Sequence, residues 1–390
     1  MRQAKVFLIA GEESGDQLGA GLMRALKAGI GDVAFEGVGG RAMEGEGLKS
    51  LFPLSDIAVM GITAVLARLP SIYRRGLEAV EAVVRFRPDV LVVIDSPEFT
   101  HAVARRVRRR LPDLPIVNYV SPSVWAWRPG RAPRMRAYID HVLALKPFEP
   151  AAHSRLGGPP CTYVGHPLVE QLHELRPAPG ERRPIADDPL TLLVLPGSRR
   201  SEISRLMEPF GAALALLQEL AGRRFELLLP AVPHLVEDIR ARAAGWTMRP
   251  TIVEGEQAKR AAFRRANAAL AASGTVTLEL ALSGVPMVVA YKVSKLEEQL
   301  KHIIKVPSIV LANLILGENV VPERVQWDCT PEKLAGALLP LLGSSPERQR
   351  QIEAFGRLDR IMEAGGISTP SERAAGIVVA EIERAQRRSS

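Results

Sequence analysis

The sequence predicts an α/β protein made of two Rossmann-like units facing a cleft. Three observations carry the fold: short, continuously apolar runs rich in β-branched residues, helical patterns between them, and a restart of that alternation after a polar, proline-rich stretch. Continuous apolar strands alternating with helices imply a parallel sheet covered on both faces. At 390 residues the chain is also long for one domain.

In the first half the strands are Val6–Ala10, Val33–Val38, Val90–Asp95, Ile116–Val120 and His141–Leu145. Helical spacing shows between them, as in Leu77, Val80 and Val84 beside Arg85 and Arg87. The stretch from Arg176 to Pro189, with Pro177, Pro179 and Pro184, reads as a linker. The alternation restarts at Thr191–Leu195, Phe225–Leu229, Thr251–Val253, Ala268–Ala272 and Pro286–Ala290. The expected domains are 1–175 and 176–345, with a C-terminal helical segment, 346–390, whose charged stretch from Glu347 to Ala385 packs back on the first domain.

The bulk composition, 47% hydrophobic and 24% charged, argues against disorder. Met1-Arg2-Gln3-Ala4-Lys5 leads directly into Val6–Ala10, which is too short for a signal peptide or a membrane span. The later run Ile303 to Val321 is broken by Lys305, Pro307 and Asn313, so a soluble cytoplasmic protein is expected. Cys161 and Cys329 offer neither a disulfide framework nor zinc-ligand spacing. A formal charge of +8 suits an anionic partner, whether nucleic acid, a phosphorylated ligand or an acidic membrane, and equally a basic enzyme whose charge affects only solubility.

The first loop, Gly11-Glu12-Glu13-Ser14-Gly15-Asp16, follows a strand but lacks both the Walker A lysine and the G-x-G-x-x-G spacing. Gly15 and Gly19 would share one helix face and allow close packing on the sheet, while Glu12, Ser14 and Asp16 project at a helix N-terminus. The same string also fits a well-capped strand–helix turn. Asp95, at the carboxyl end of Val90–Ile94, stands where reacting groups gather in such sheets, and its carboxylate could act as a general base toward a sugar hydroxyl. It could equally cap the helix that follows.

Trp125, Trp127 and Arg128, followed by Arg131, Arg134 and Arg136, suit a sugar ring and a phosphate. They also suit single-stranded nucleic acid, or a plain core role for the tryptophans. Arg105, Arg106, Arg108, Arg109 and Arg110 suit either a solvated helix C-terminus or anionic lipid headgroups. Nearby Ala58–Leu66 is an apolar stretch that is either core or a rim toward acyl chains.

In the second half, Pro196-Gly197-Ser198-Arg199 enters a helix after a strand, placing backbone N–H groups and a guanidinium where a diphosphate would lie. Ser273-Gly274-Thr275 opens another helix toward a phosphate, and Glu279, one turn deeper, can accept from two ribose hydroxyls. With Gly284-Val285-Pro286 beyond it, this segment looks like the donor-nucleotide site of two-Rossmann glycosyltransferases. No Asp-x-Asp motif or paired histidine spacing supports a metal, and no cofactor is expected. A metal-free transferase neutralises the departing diphosphate by helix dipole and arginine instead.

Together these segments resemble the lipid A disaccharide synthase family along nearly the whole chain. Gly11-Glu12-x-Ser14-Gly15-Asp16, Ala58-Val59-Met60-Gly61, Tyr119 to Arg128, Gly165-His166-Pro167, Leu195 to Arg199 and Pro286 to Tyr291 match that family's motifs in order. The string Ser121-Pro122-Ser123-Val124-Trp125-Ala126-Trp127-Arg128 is the most specific of them.

The resemblance implies an inverting transfer from UDP-2,3-diacylglucosamine to the 6-hydroxyl of 2,3-diacylglucosamine 1-phosphate, releasing UDP and leaving a β(1→6) disaccharide. It also implies Asp95 as general base, with Glu12 as its catalytic neighbour. Ser14, Asp16, Met60, Trp125 and Arg128 would bind substrate on the acceptor side. Arg199, Ser273, Gly274, Thr275 and Glu279 would hold the nucleotide, with Asn313 at the cleft edge. Ser96, Glu98, the Ser273-Gly274-Thr275 spacing and Ala312 depart from the common family pattern.

The expected partners are those two lipid-linked sugars and an anionic membrane surface, with a homodimer left open and no nucleic acid. The expected location is cytoplasmic, peripheral at the inner membrane. The rival readings are another two-Rossmann UDP-sugar enzyme, such as a 2-epimerase or a soluble-acceptor transferase, and a basic RNA-binding protein.

Overall fold

The computed structural model describes residues 3–58, 62–293, 307–363 and 368–389, without the side chains of 62–67 and 389. Met60, expected at the acceptor side, lies outside the described residues. The chain forms two compact units, Met1–Pro167 with Ala364–Ser390, and Leu168–Glu363.

Unit 1 holds seven strands: β1 (Ala4–Ala10), β2 (Val33–Val38), β3 (Lys49–Ser50), β4 (Val90–Ile94), β5 (Ile116–Tyr119), β6 (His141–Ala144) and β7 (Cys161–Tyr163). Their order is β3-β2-β1-β4-β5-β6-β7, and every neighbouring pair is parallel. Parallel neighbours need crossovers. Among those that supply them are helices α1 (Glu13–Ile30), α2 (Ile62–Phe86), α3 (Pro97–Arg110) and α4 (Glu149–Arg155). All five residues of β4 are fully buried, as a strand covered on both faces requires. The order reverses between β1 and β4, so the loops after these two strands flank the crevice where ligands of such sheets bind.

Unit 2 repeats the plan with β8 (Leu190–Leu195), β9 (Phe225–Ala231), β10 (Thr251–Glu254), β11 (Ala268–Ala272), β12 (Met287–Tyr291) and β13 (Glu323–Val325). The order is β10-β9-β8-β11-β12-β13, again all parallel, with its reversal between β8 and β11. Around it lie α5 (Arg200–Ala221), α6 (Glu256–Arg265), α7 (Val276–Leu282), α8 (Leu311–Leu316) and α9 (Pro346–Met362).

A last helix, α10 (Pro370–Ser389), belongs to unit 1 and packs on α1. Ala374, Ala375, Val378 and Ile382 of α10 join Leu22, Leu26 and the β1 and β4 side chains in one apolar cluster. The C-terminal stretch is thus two helices, α9 in unit 2 and α10 in unit 1, rather than the single returning segment expected. The first of these helices ends at Met362 and the second begins at Pro370. A new start follows: the Thr369 hydroxyl accepts from Glu372 N at 3.2 Å and the Glu372 carboxylate from Thr369 N at 2.7 Å, with Pro370 opening the helix.

Other differences have local causes. Asp95 and Val120 drop off the ends of their strands because their φ angles, 57° and 74°, are left-handed. The three strands that apolar patterning missed, β3, β7 and β13, lie at sheet edges and are two or three residues long. Leu77 is 41% exposed while Ala79, Val80, Ala82 and Val83 are buried, so the inner face of α2 is rotated away from the one its sequence suggested. The proline-rich stretch from Arg176 to Pro189 lies in unit 2 and is bound to it. The Arg182 guanidinium donates to Ser283 O and Gly284 O, both at 2.8 Å.

Gly15 and Gly19 do permit close packing: a Cβ on Gly15 would sit 3.4 Å from Ile94 Cγ2, and one on Gly19 only 2.5 Å from Met43 Sδ. No helix of the described residues is long and apolar enough to cross a membrane.

Candidate functional site

In unit 2 a cavity of about 510 Å³ opens at the carboxyl ends of β8 and β11, where the strand order reverses. Arg199, Ser273, Gly274, Thr275 and Glu279 all line it. The loop after β8 is fixed by one buried carboxylate. Glu202 Oε2 accepts from Ser198 N at 3.0 Å and Arg199 N at 3.2 Å, while Oε1 accepts from Arg199 Nη1 at 3.2 Å. Gly197 makes this possible, because its φ is 118° and a Cβ there would lie 2.4 Å from Glu202 Oε2. The Arg199 side chain stays 58% exposed, so most of its five N–H donors remain available.

The loop after β11 is open. Nothing lies within 4 Å of where a Gly274 Cβ would stand. Among the described residues, the N–H groups of Gly274, Thr275 and Val276 donate to no protein acceptor, as the first turn of a helix leaves them. Ser273 is different: its hydroxyl donates to Ile309 O at 2.6 Å, so it braces the loop rather than facing the cavity as a free donor.

Glu279 carries a partner the sequence reading missed. Lys259, on α6, lies 2.8 Å from Glu279 Oε2 and also lines the cavity. Burial draws the Lys259 pKa down, but the Glu279 and Glu256 carboxylates outweigh it and hold the pKa above the ordinary lysine value. This pairing of residues 20 apart has no local spacing signal; only the return of the chain across the sheet brings them together. Asn313, expected at the cleft edge, is 2% exposed and saturated. Its amide donates to Val321 O at 3.0 Å and to Glu323 Oε1 at 3.1 Å, and its carbonyl accepts from Val320 N and Val321 N. It shapes the turn after α8 and has no hydrogen-bonding capacity left for a ligand.

In unit 1 the loops after β1 and β4 meet at the switch point. Gly11 lies so close to Ser96 that a Cβ on it would fall 2.1 Å from Ser96 Cβ. Asp95 and Ser96 are both left-handed, with φ of 57° and 40°. Two consecutive non-glycine residues in that region store on the order of 1–2 kcal/mol each. Three hydrogen bonds hold them there. Asp95 Oδ1 accepts from Ser96 N at 2.8 Å, Asp95 N donates to Tyr119 O at 3.1 Å, and the Thr100 hydroxyl donates to Asp95 O at 2.8 Å. The second carboxylate oxygen is turned toward the Ser14 hydroxyl, 3.5 Å away.

Glu12 sits at the N-cap of α1 with extended backbone and is partly exposed, and Ser14 is exposed beside it. Asp16, read from sequence as a substrate contact, is instead a buried brace. Its carboxylate accepts from Gly40 N at 2.7 Å, Ala42 N at 2.9 Å and Met43 N at 3.1 Å.

Past β5, the Trp125 indole donates to Glu149 Oε1 at 3.3 Å, and its ring meets Phe148 edge-on at 5.1 Å. Glu149 is fully buried and ion-paired with Lys146 at 2.9 Å. Trp125 is therefore an anchor, half-buried, while Trp127, 39% exposed, is the ring offered outward. The Arg128 guanidinium lies 4.2 Å from the Trp127 ring centre and pairs with Glu98 at 3.0 Å.

Two all-parallel units, each with its loops gathered at a strand-order reversal, define the GT-B class of fold. Solved structures share it: the Staphylococcus aureus MnaA–UDP structure superposes with a TM-score of 0.63 at 14% identity, covering 99% of this chain and 97% of that one. MurG of Acinetobacter baumannii gives 0.55 at 16% identity, covering 98% and 99%. The sequence model of lipid-A-disaccharide synthetases matches residues 6–369, and the chain belongs to that family. It is 57% identical over 385 residues to the lipid-A-disaccharide synthase of Bradyrhizobium diazoefficiens, with 98% of both chains covered.

Proposed function

We propose that the chain catalyses the family's hexosyl transfer: the 6-hydroxyl of 2,3-diacylglucosamine 1-phosphate attacks the anomeric carbon of UDP-2,3-diacylglucosamine. The new C–O bond forms on the face opposite the departing UDP, giving the β(1→6) disaccharide 1-phosphate. The observation that carries the donor half is the unit 2 cavity, which gathers Arg199, the open Gly274–Val276 turn and the Glu279 carboxylate around one hollow. Glu279, steadied by Lys259, accepts from the ribose hydroxyls. Arg199 and the N–H groups of Gly274, Thr275 and Val276 take up the charge that develops on the leaving diphosphate. Asp95 removes the proton of the attacking hydroxyl, with Glu12 and Ser14 beside it on the acceptor side.

The substrates' acyl chains place the reaction at a membrane surface, and the exposed face of α2 supports peripheral attachment there. Leu69, Tyr73 and Leu77 follow one another at helical spacing and are 47%, 57% and 41% exposed. Exposed Arg68 and Arg74 lie beside them, and Arg106 stands 5.2 Å from the Tyr73 ring. Apolar side chains rimmed by arginines suit the anionic face of an inner membrane.

The test is turnover without added metal, with the two lipid-linked sugars in detergent micelles. Tetraacyl disaccharide 1-phosphate plus UDP is the expected product. Release of free monosaccharide, or transfer only to water-soluble acceptors, would assign the chain to another UDP-sugar reaction.

A further inference from the structure

Unit 1 holds a second cavity, of about 460 Å³, that none of these roles uses. Its lining begins at Pro97 and Glu98, two and three residues past Asp95, so it adjoins the crevice after β4. Arg105 of α3 enters it from one side, and Arg128, Arg131 and Arg134 from the segment that follows Trp127. Four guanidinium groups thus share one hollow with a single carboxylate, Glu98, which pairs with both Arg128 and Arg131. The Glu98 side chain is 68% exposed, and an ion pair at such a place is weak enough to exchange for a better anion. Among the described residues Arg105 and Arg134 have no acidic partner. Arg105 only lies over the Tyr138 ring, 5.6 Å from its centre.

Beneath the arginines the floor is buried and uncharged. Tyr138 Oη meets His101 Nδ1 at 3.2 Å, and His101 Nε2 meets Asn118 Oδ1 at 2.8 Å. Burial above all, with the charges of Arg131 and Arg105 adding to it against the Asn118 hydrogen bond, takes the His101 pKa down to about 4. The floor therefore adds no positive charge of its own near neutral pH. Four guanidinium groups lining one hollow match the oxygens of a phosphoryl group.

We propose that this cavity seats a phosphomonoester, the 1-phosphate of the acceptor sugar, held by Arg105, Arg128, Arg131 and Arg134 while the opposite end of the ring offers its hydroxyl to Asp95. The assignment of the acceptor rests on the function proposed above; the affinity of the cavity for a sugar phosphate does not. Glu98 is the resident counter-ion that the phosphate displaces. The arginines then select acceptors that carry the phosphate.

Glucosamine 1-phosphate, titrated by calorimetry into the full-length protein, tests the site without turnover. The double variant Arg105→Ala/Arg134→Ala should bind it at least about tenfold more weakly while keeping its UDP affinity, which also reports an intact fold. In micelles, the same variant should raise KM for the phosphorylated acceptor by a similar factor and leave KM for the 1-hydroxyl acceptor unchanged. Unchanged glucosamine 1-phosphate affinity, or equal KM rises for both acceptors, overturns the proposal. Weaker retention on phosphatidylglycerol vesicles with an unchanged KM ratio would give these arginines to lipid headgroups instead, and also overturns it. If the wild-type chain makes no disaccharide, the transfer reading fails, while the calorimetric arm still decides whether the cavity binds the sugar phosphate.

Discussion

Asp95, the proposed base, has a geometry unusual for an aspartate at a strand end. A carboxylate capping the next helix would sit in extended backbone; this one is left-handed, with one oxygen held by Ser96 N and the other directed toward Ser14. Asp95→Asn keeps the Ser96 hydrogen bond through its carbonyl oxygen but removes the proton acceptor. Turnover should fall by about 10²–10⁴, with UDP affinity and thermal stability kept. Turnover within a few-fold of wild type would remove Asp95 as the base. Among the other residues singled out in the sequence, chemistry and bracing look alike until partners are visible. Asp16 and Asn313 have the same residue types as true ligands, yet every oxygen or amide they own is bonded to backbone or to Glu323. Lys259 is the converse case, a functional candidate hidden in an ordinary amphipathic helix.

At the scale of elements, the plainest strands in the sequence are those whose every residue is buried, such as Val90–Ile94 and Leu190–Leu195, while the partly buried Val33–Val38 and Thr251–Val253 were legible from their β-branched and aliphatic runs. A run of β-branched and aliphatic side chains leaves no other reading. Edge strands such as Glu323–Val325 carry no such run, because one side of them faces no neighbouring strand. The loops at both reversals were legible as well, since glycine beside serine and aspartate or arginine marks a strand–helix turn. Which loop residue faces a cavity was not, because Glu202 and Ile309 decide that from outside the motif. Helix α2 is an element whose exposed face has a testable use. Replacing Leu69 and Tyr73 together by serine should leave the fold intact, since neither is buried, and should release the protein from anionic vesicles at moderate salt. Equal retention of the variant would move membrane attachment elsewhere.

At the scale of the whole molecule, the chain leaves unit 1 at Pro167 and re-enters it at Ala364, so the second unit is an insertion within the first. Ile382, on the returning helix and 7% exposed, is part of unit 1's apolar cluster. Ile382→Ala should cost roughly 2–4 kcal/mol of unit 1 stability in denaturant titration, with UDP affinity unaltered because the proposed nucleotide cavity lies wholly in unit 2. A parallel loss of UDP affinity would show that the two units do not behave separately.

The returning helix has one more consequence, for a chain emerging from the ribosome. Residues 168–363 form a continuous unit and can close as soon as they are out, whereas the earlier-made strands must wait for residues 370–389. Until then Leu22 and Leu26 on α1 lack the cover that Val378 and Ile382 provide. The order of synthesis and the order of completion are therefore reversed, and the half that is born first is the half a chaperone has longest to guard.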